Sequence, residues 1–574
     1  SGAGFTADFS TLNISEDRVV TLDSPRMIGA LKFGDVSGTE SWTIAANDGN
    51  TLTLDSDGIV APSVAVFQNT ATISAPLAGL NGLTKSGNGT LALAGNNLFT
   101  GTTTIASGTL AISGAGRLSN GAHDGNIMDY GTLRYDSSAA QTLSGVISGT
   151  GGLIQNSGTL TLSANNTYTG GTIVKGGVLN LANGGGAGAI RNNLTIQSSG
   201  TVNLTAGDAL GYSAGSPATF VTVVNILGGA LNISINDNEG YRTAFYLTGG
   251  TMSSSGGGSF HFDGTAGGLI SSLGSPTIST ISAKITLRGD GVVISTAKGS
   301  APNGIDLNIT GAIGEQYGSF GFSKTGPGTL VLSAANTYSG DTMVNNGTLL
   351  VNGSVAGGAV TVMNSATLGG TGTINGSLTI QFGGTLSPGA SSSFPATLKA
   401  NNSVTLQPGS FTRMRISKNA PTNDVVQISG GGLQFGGVLV VTNTAGSVSV
   451  GDSFKLFSAP TYSGSFSGIT PATPGPGLRW NTNSLAVNGT LAVALGDAKP
   501  QFEAAAFDGS GLRCRGVGGA AGASFSILST TDLSAPTESW TIEGAGAFDQ
   551  DGYFDFTIHP ASDAPQQFFT IKIP

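Results

Sequence analysis

The chain has 574 residues, of which 93 are glycine and only 10% are charged, against usual shares of about 7% and about 25%. A net charge of −9 (Lys+Arg 23, Asp+Glu 32) excludes the basic surface that releases counterions from nucleic acid, and no apolar run approaches the ~20 residues of a membrane helix. A hydrophobic content of 39% excludes disorder, and a single cysteine excludes an internal disulfide.

The chain opens on Ser1-Gly2-Ala3-Gly4, with no Met and no charged-then-apolar leader, which is the expectation for a mature product of signal cleavage. Strand-like sequence starts at once with Phe5-Thr6-Ala7-Asp8-Phe9 and shows no evident cap. The decisive feature is a repeat. One copy holds Gly82-Leu83-Thr84-Lys85-Ser86-Gly87-Asn88-Gly89-Thr90-Leu91-Ala92-Leu93 and then Asn96-Asn97-Leu98-Phe99-Thr100-Gly101. A second holds Gly152-Leu153, Ser157-Gly158-Thr159-Leu160-Thr161-Leu162 and Asn165-Asn166-Thr167-Tyr168-Thr169-Gly170. The third holds Phe322-Ser323-Lys324-Thr325-Gly326, Gly328-Thr329-Leu330-Val331-Leu332 and Asn336-Thr337-Tyr338-Ser339-Gly340. In each copy a second Gly-Thr/Val-Leu follows the first: Gly89 and Gly108, Gly158 and Gly177, and Gly328 and Gly347 all stand 19 residues apart.

An offset near 20 residues is about one coil of a β-solenoid. The pairs Leu91/Leu93, Leu160/Leu162 and Leu330/Leu332 alternate with other residues, the period of a strand with one buried face. Glycine before each strand permits the positive φ of a tight corner, and the Asn-rich segment after it suits the next corner. Phe99, Tyr168 and Tyr338 are expected at equivalent places on their coils.

Lys85-Ser86-Gly87-Asn88-Gly89-Thr90-Leu91 and Asn166-Thr167-Tyr168-Thr169-Gly170-Gly171-Thr172 resemble the autotransporter-associated β-strand repeat, or passenger-associated transport repeat, of bacterial surface proteins. Ala366-Thr367-Leu368-Gly369-Gly370-Thr371-Gly372-Thr373-Ile374 and Gly383-Gly384-Thr385-Leu386-Ser387-Pro388-Gly389 are similar to segments that follow it. The resemblance implies a right-handed parallel β-helix, secretion and a surface location, and no particular activity. Autotransporters end in a membrane barrel of about twelve strands, for which the sequence to Pro574 leaves no room. The expectation is therefore a processed passenger or a protein exported by another route. Gly522-Ala523-Ser524-Phe525, Trp540 and Pro565-Gln566-Gln567-Phe568-Phe569 resemble the tail modules of large repeat proteins from Verrucomicrobia and related bacteria, which favours the second.

Residues 1–400 thus read as solenoid. Residues 401–495 keep alternation at Val404 and Leu406, add the apolar run Val438-Leu439-Val440-Val441 and a Pro-rich stretch from Pro471 to Pro476, and read as irregular terminal coils or a capping β element. A new segment starts at Lys499-Pro500. Leu512 and Cys514 alternate with Arg513 and Arg515, and Phe554, Phe556 and Ile558 with Tyr553, Asp555 and Thr557. About six such strands in residues 499–574 suggest an immunoglobulin- or fibronectin-like sandwich. The fold class is all-β: a parallel β-helix followed by a small C-terminal β-sandwich.

Groups able to do chemistry are scarce. His123, His261 and His559 are far apart in sequence. Cys514 alternates with arginines that could lower a thiol pKa, yet reads as a small core residue. Asn236-Asp237-Asn238-Glu239-Gly240 and Asp549-Gln550-Asp551-Gly552 could hold Ca²⁺. Each has only two acids, and turns use Asp, Asn and Gly for backbone reasons. Gly256-Gly257-Gly258 is followed by Ser259-Phe260 where a phosphate loop needs Lys-Ser/Thr. Thr102-Thr103-Thr104 lacks the regular recurrence of an ice-binding array. No catalytic, cofactor or metal residue is assigned. The expected function is a non-enzymatic extracellular scaffold or filament subunit, with copies meeting head to tail through solenoid ends. The alternative is a surface adhesin or glycan-binding protein, or a β-helix polysaccharide-active enzyme, which would show a carboxylate cluster or aromatic strip along one face. Partners would be other copies, surface glycans or other cells, with no nucleic acid and no membrane span.

Overall fold

The structure is a computed structural model that describes the chain except residues 1, 37, 59, 213–219, 267, 390–393, 420–421, 497–499, 520–521, 561–565 and 574. Lys499 and Pro565, singled out above, lie outside the described residues. The chain divides into a first unit of residues 1–378 and a second that begins at residue 379, apart from residues 390–392.

In the first unit the strand ladders are parallel. One sheet stacks Thr6–Phe9, Ala30–Phe33, Ser63–Val66, Leu83–Ser86, Thr103–Ile105, Ile127–Asp129 and Ile147–Ser148. Thr70–Ile73, Thr90–Leu93, Thr109–Gly114 and Thr132–Ser137 stack in the same order on another face, and Arg26–Ile28, Leu52–Leu54 and Leu77–Ala78 on a third. This is a parallel β-helix, as the repeat spacing requires. The 19-residue offset is the ladder register itself: Leu91 pairs with Leu110, Leu160 with Leu179 and Leu330 with Leu349. The alternating Leu91, Leu93, Leu160, Leu162, Leu330 and Leu332 lie in the core at 0% exposure, and Ala92 and Val331 on the other face are buried too. Each such burial is worth about 2 kcal/mol.

The glycine that opens the repeat strand serves two purposes. Gly158 has φ +64°, the corner conformation expected of it. Gly89 has no such φ, but a Cβ there would come within 2.8 Å of the Asn69 carbonyl oxygen one coil earlier. Close stacking, not corner geometry, demands glycine at position 89.

In the second unit parallel coils continue. Thr385–Pro388 pairs with Phe411–Ser417, which pairs with Val438–Asn443, which pairs with Gly468–Thr470. Beside them Arg415 grips the buried Asp424: Nε donates to Oδ2 at 2.7 Å and Nη2 to Oδ1 at 3.0 Å. The pattern then turns antiparallel. Ser453–Lys455 and Leu478–Asn481 flank Thr490–Leu495, and the Gly489 carbonyl accepts the amides of Leu456 and Phe457, both at 3.0 Å. Further on, Gln501–Asp508, Gly511–Val517 and Phe554–Ile558 form one antiparallel sheet, and Thr541–Ala547, Ser524–Thr530 and Phe568–Lys572 another. Cys514, Phe525, Ile527, Phe548, Phe554 and Ile558 share one buried cluster between them.

Candidate functional site

The coils bury polar groups as well as leucines, and in the repeats these are spent on the ladder. Asn166 is 1% exposed. Its Oδ1 accepts the Ile147 amide at 2.8 Å, and its Nδ2 donates to the carbonyls of Ala164 (3.1 Å) and Ala189 (2.8 Å). It thus joins three successive coils. Asn97 and Asn336 make the same three bonds, to Leu77, Gly95 and Arg117 and to Ile313, Ala334 and Ser354. The Asn of the repeat is therefore an inward clasp rather than a corner residue chosen for its backbone. Lys85 and Lys324, both 0% exposed, each donate three hydrogen bonds to carbonyls. Those of Ser86, Gly87 and Ser107 receive Lys85, and those of Thr325, Gly326 and Asn346 receive Lys324. Burial pushes each ammonium down to about 8. In the second repeat Gln155 fills this place, reaching the Gly158 and Val178 carbonyls at 3.2 and 2.8 Å. The three aromatics are all buried. Tyr168 meets the Thr172 hydroxyl at 2.5 Å and Tyr338 the Thr342 hydroxyl at 2.7 Å. Phe99 has no hydroxyl to offer, and the buried Thr103 Oγ1 has no partner among the described residues.

Between the second and third repeats polar groups, some of them buried, gather at one cavity. Asp208, Tyr212, Asn238, Glu239, Tyr241, His261 and Arg288 line one cavity of about 350 Å³. They come from successive coils. The Asp208 amide donates to the Asn238 carbonyl, Glu239 is in register with Phe260, His261 with Thr286, and the Gln316 amide donates to Leu287. Tyr317 therefore follows Arg288 by one coil. A cluster of Phe245, Phe260 and Phe262 packs edge to face, with Phe245 5.4 and 5.6 Å from the other two centroids. Gly240, at φ +81°, turns the chain where a Cβ would strike the Phe245 ring at 2.8 Å.

The cavity's electrostatics follow from burial. Glu239 is 1% exposed, and burial pushes its carboxyl up to about 8 although the amides of Ala209 and Leu210 donate to it at 3.1 and 3.4 Å. Burial first, and Asp237 second, push Asp208 up. Burial and the neighbouring Arg288 push His261 down to about 4, so its ring is neutral at pH 7. Since a guanidinium only donates, His261 Nδ1 accepts from Arg288 Nη1 at 3.2 Å, leaving Nε2–H to donate to Ser259 Oγ at 2.9 Å. The Arg288 guanidinium lies 4.8 Å from the ring centroids of both Tyr241 and Tyr317, and that of Arg242 lies 5.8 Å from Tyr241. Nε of Arg288 and of Arg242 is buried without an acceptor among the described residues.

Of the residues singled out in the sequence, this cavity gathers Asn238, Glu239 and His261. It leaves His123 and His559 apart. His123 is fully buried, 3.0 Å from the Ser119 hydroxyl and pushed down by burial; His559 is exposed. In Asp549-Gln550-Asp551-Gly552, Asp549 Oδ1 accepts the amides of Asp551 and Tyr553 at 2.9 and 2.8 Å. Among the described residues no three His, Cys, Asp or Glu side chains gather as metal ligands do. Cys514 is 2% exposed and burial pushes its thiol up. Asp208, Tyr212, Tyr241, Arg288 and Tyr317 were not legible as a group. Coil lengths vary across this stretch, so only a coil-by-coil alignment could have put them at one corner.

The family model described as Passenger-associated-transport-repeat matches residues 83–112, 155–181 and 322–351. The chain is 29% identical over 353 residues to the adhesin BmaC autotransporter of Brucella suis biovar 1 (strain 1330), a match covering 58% of this chain and 9% of that protein. It thus spans less than a tenth of the length of this curated relative. The crystal structure of the Haemophilus influenzae Hap adhesin aligns with 83% of this chain and 64% of its own, at 12% identity and a TM-score of 0.29.

Proposed function

We propose that this chain, which carries three passenger-associated-transport repeats, is an extracellular, non-enzymatic surface protein of adhesin type. In this reading the β-helix is the scaffold and the cavity at Glu239 and Arg288 a contact point it displays. The carrying observation is the repeat: three copies stack as coils whose buried Asn, Lys and Gln side chains reach carbonyls of their own and neighbouring coils. Similarity to an adhesin supports the same reading. Latex beads coated with the purified chain are expected to bind host or bacterial cells more than beads coated with an unrelated β-helix do. Equal retention of both would overturn the proposal.

Two finer points belong to it. The region boundaries at 400, 495 and 499 divide scaffold, terminal β element and sandwich. A solenoid presents ladder groups at the ends of its stack, so copies are proposed to meet end to end. Negative-stain images should show particles that lengthen with concentration; a single length at every concentration would overturn that point.

A glycosidase reading has one observation in its favour, a carboxyl raised to about 8 beside a second acid, Asp208. Against it, Glu239 is almost inaccessible and receives two backbone amides, whereas a general acid must present its proton to the leaving oxygen. Release of reducing sugar from a polysaccharide panel would decide for that reading.

A further inference from the structure

We propose that the cavity between Asp208 and Arg288 binds an acidic saccharide, one whose sugar ring carries a carboxylate. The inference rests on the surface-adhesin reading for the source of the ligand, a glycan on another cell or matrix.

Three features of the cavity match three features of such a sugar. The first is the guanidinium. Arg288 gives Nη1 to a neutral imidazole, while its Nε–H has no acceptor among the described residues. No ion pair joins it to a carboxylate among the described residues. The guanidinium lines the cavity, and a carboxylate accepts from such a group in the two-pronged way that suits its planar edge. His261 fixes this edge in place: its ring is neutral, accepts from Arg288 and is itself anchored on Ser259. The second feature is aromatic. Tyr241 and Tyr317 flank the same guanidinium, and Tyr317 is 78% exposed. Tyr241 lines the cavity and Tyr317 packs on its arginine; a tyrosine ring beside a bound sugar offers a flat apolar face to the C–H side of a pyranose ring, with its hydroxyl kept for water or ligand. The third is the pair Asp208 and Asn238 across the cavity, which accept and donate to hydroxyl groups. A simple inorganic anion would satisfy the arginine but make no use of the tyrosines or of the hydroxyl partners Asp208 and Asn238. A neutral sugar would leave the arginine unpaired. A sugar acid answers all three.

The test uses the whole chain and calorimetric titration with oligogalacturonate, its methyl-esterified form, sialyllactose and lactose, and with acetate and sulfate as bare anions. The expected result is saturable binding of at least one acidic saccharide. Esterification, or removal of the sialic acid, should weaken it about tenfold or more, the factor that loss of one charge-assisted pair produces. Tyr317→Ala and Arg288→Lys should each weaken it about tenfold, with circular dichroism and melting unchanged for the exposed Tyr317 variant. Equal affinity for acid and ester would overturn the proposal. So would acetate or sulfate competing as well as the saccharide, indifference to both substitutions, or no binding at all. Bead adhesion is scored in parallel with the same variants. Adhesion that persists undiminished in Tyr317→Ala and Arg288→Lys sinks the saccharide site and leaves the adhesin reading standing. Saccharide binding by a chain whose beads adhere to nothing sinks the adhesin reading alone.

Discussion

The coils of the repeats and the coils between Asp208 and Tyr317 share one backbone plan yet differ in how their buried nitrogen donors are matched. In the repeats, Asn97, Asn166 and Asn336 face inward and are matched by carbonyls and amides of adjacent coils. Around the cavity, Glu239 and His261 find partners, but the buried Nε–H groups of Arg242 and Arg288 have no acceptor among the described residues. The comparison teaches that a buried polar group in this helix is inexpensive where its partners are ladder atoms at fixed spacing. It is costly where the partners are missing, and there a ligand has something to supply.

The largest expected effect breaks the matched side. Asn166→Ala removes three bonds at once and leaves Ile147 N–H and the Ala164 and Ala189 carbonyls buried without it. A loss of about 3–5 kcal/mol in the local opening free energy is expected, measured by hydrogen exchange at the amides of residues 147 and 189. The second effect acts on the unmatched side. The Glu239 carboxyl, raised from 4.5 to about 8, keeps a proton in the folded chain that the unfolded chain has released. Its stabilising contribution is therefore complete below pH 4.5 and lost as pH rises through about 8. Glu239→Gln should flatten that fall, read from melting temperatures across the interval.

Next in size, Phe99→Tyr supplies the first repeat with the hydroxyl that the other two possess. A gain of about 1 kcal/mol is expected from satisfying Thr103 Oγ1. Slower exchange around residue 103 would show it, and an unchanged or faster rate would mean the coil has no room for the added oxygen. The smallest effect sharpens the comparison among repeats. Lys85→Gln copies what Gln155 already does, so neutral-pH stability should move by less than about 1 kcal/mol. The ammonium's folded value of about 8 lies below its ordinary 10.5, so the folded chain holds fewer protons between them and stability rises with pH over that range. The variant should lose part of that rise while Lys324 retains its own.

The architecture was legible because a solenoid writes its geometry locally. A 19-residue offset between Gly89 and Gly108 is a ladder register, and alternation at Leu91 and Leu93 is a strand with one face inside. The role of the repeat asparagine was not. Asn is common in turns, and only the stacked coils show that Asn166 points inward at groups 19 and 23 residues away.

Sequence by itself determined that this protein is a stack of parallel β-coils, because period-2 burial and the 19-residue offset inside each repeat are properties of consecutive residues. Tertiary structure alone decided where chemistry gathers. Asp208, Glu239, His261, Arg288 and Tyr317 come together because each coil returns the chain to the same corner after a different number of residues. The number varies with the loops, which backbone stacking leaves free, so no fixed spacing announces the site.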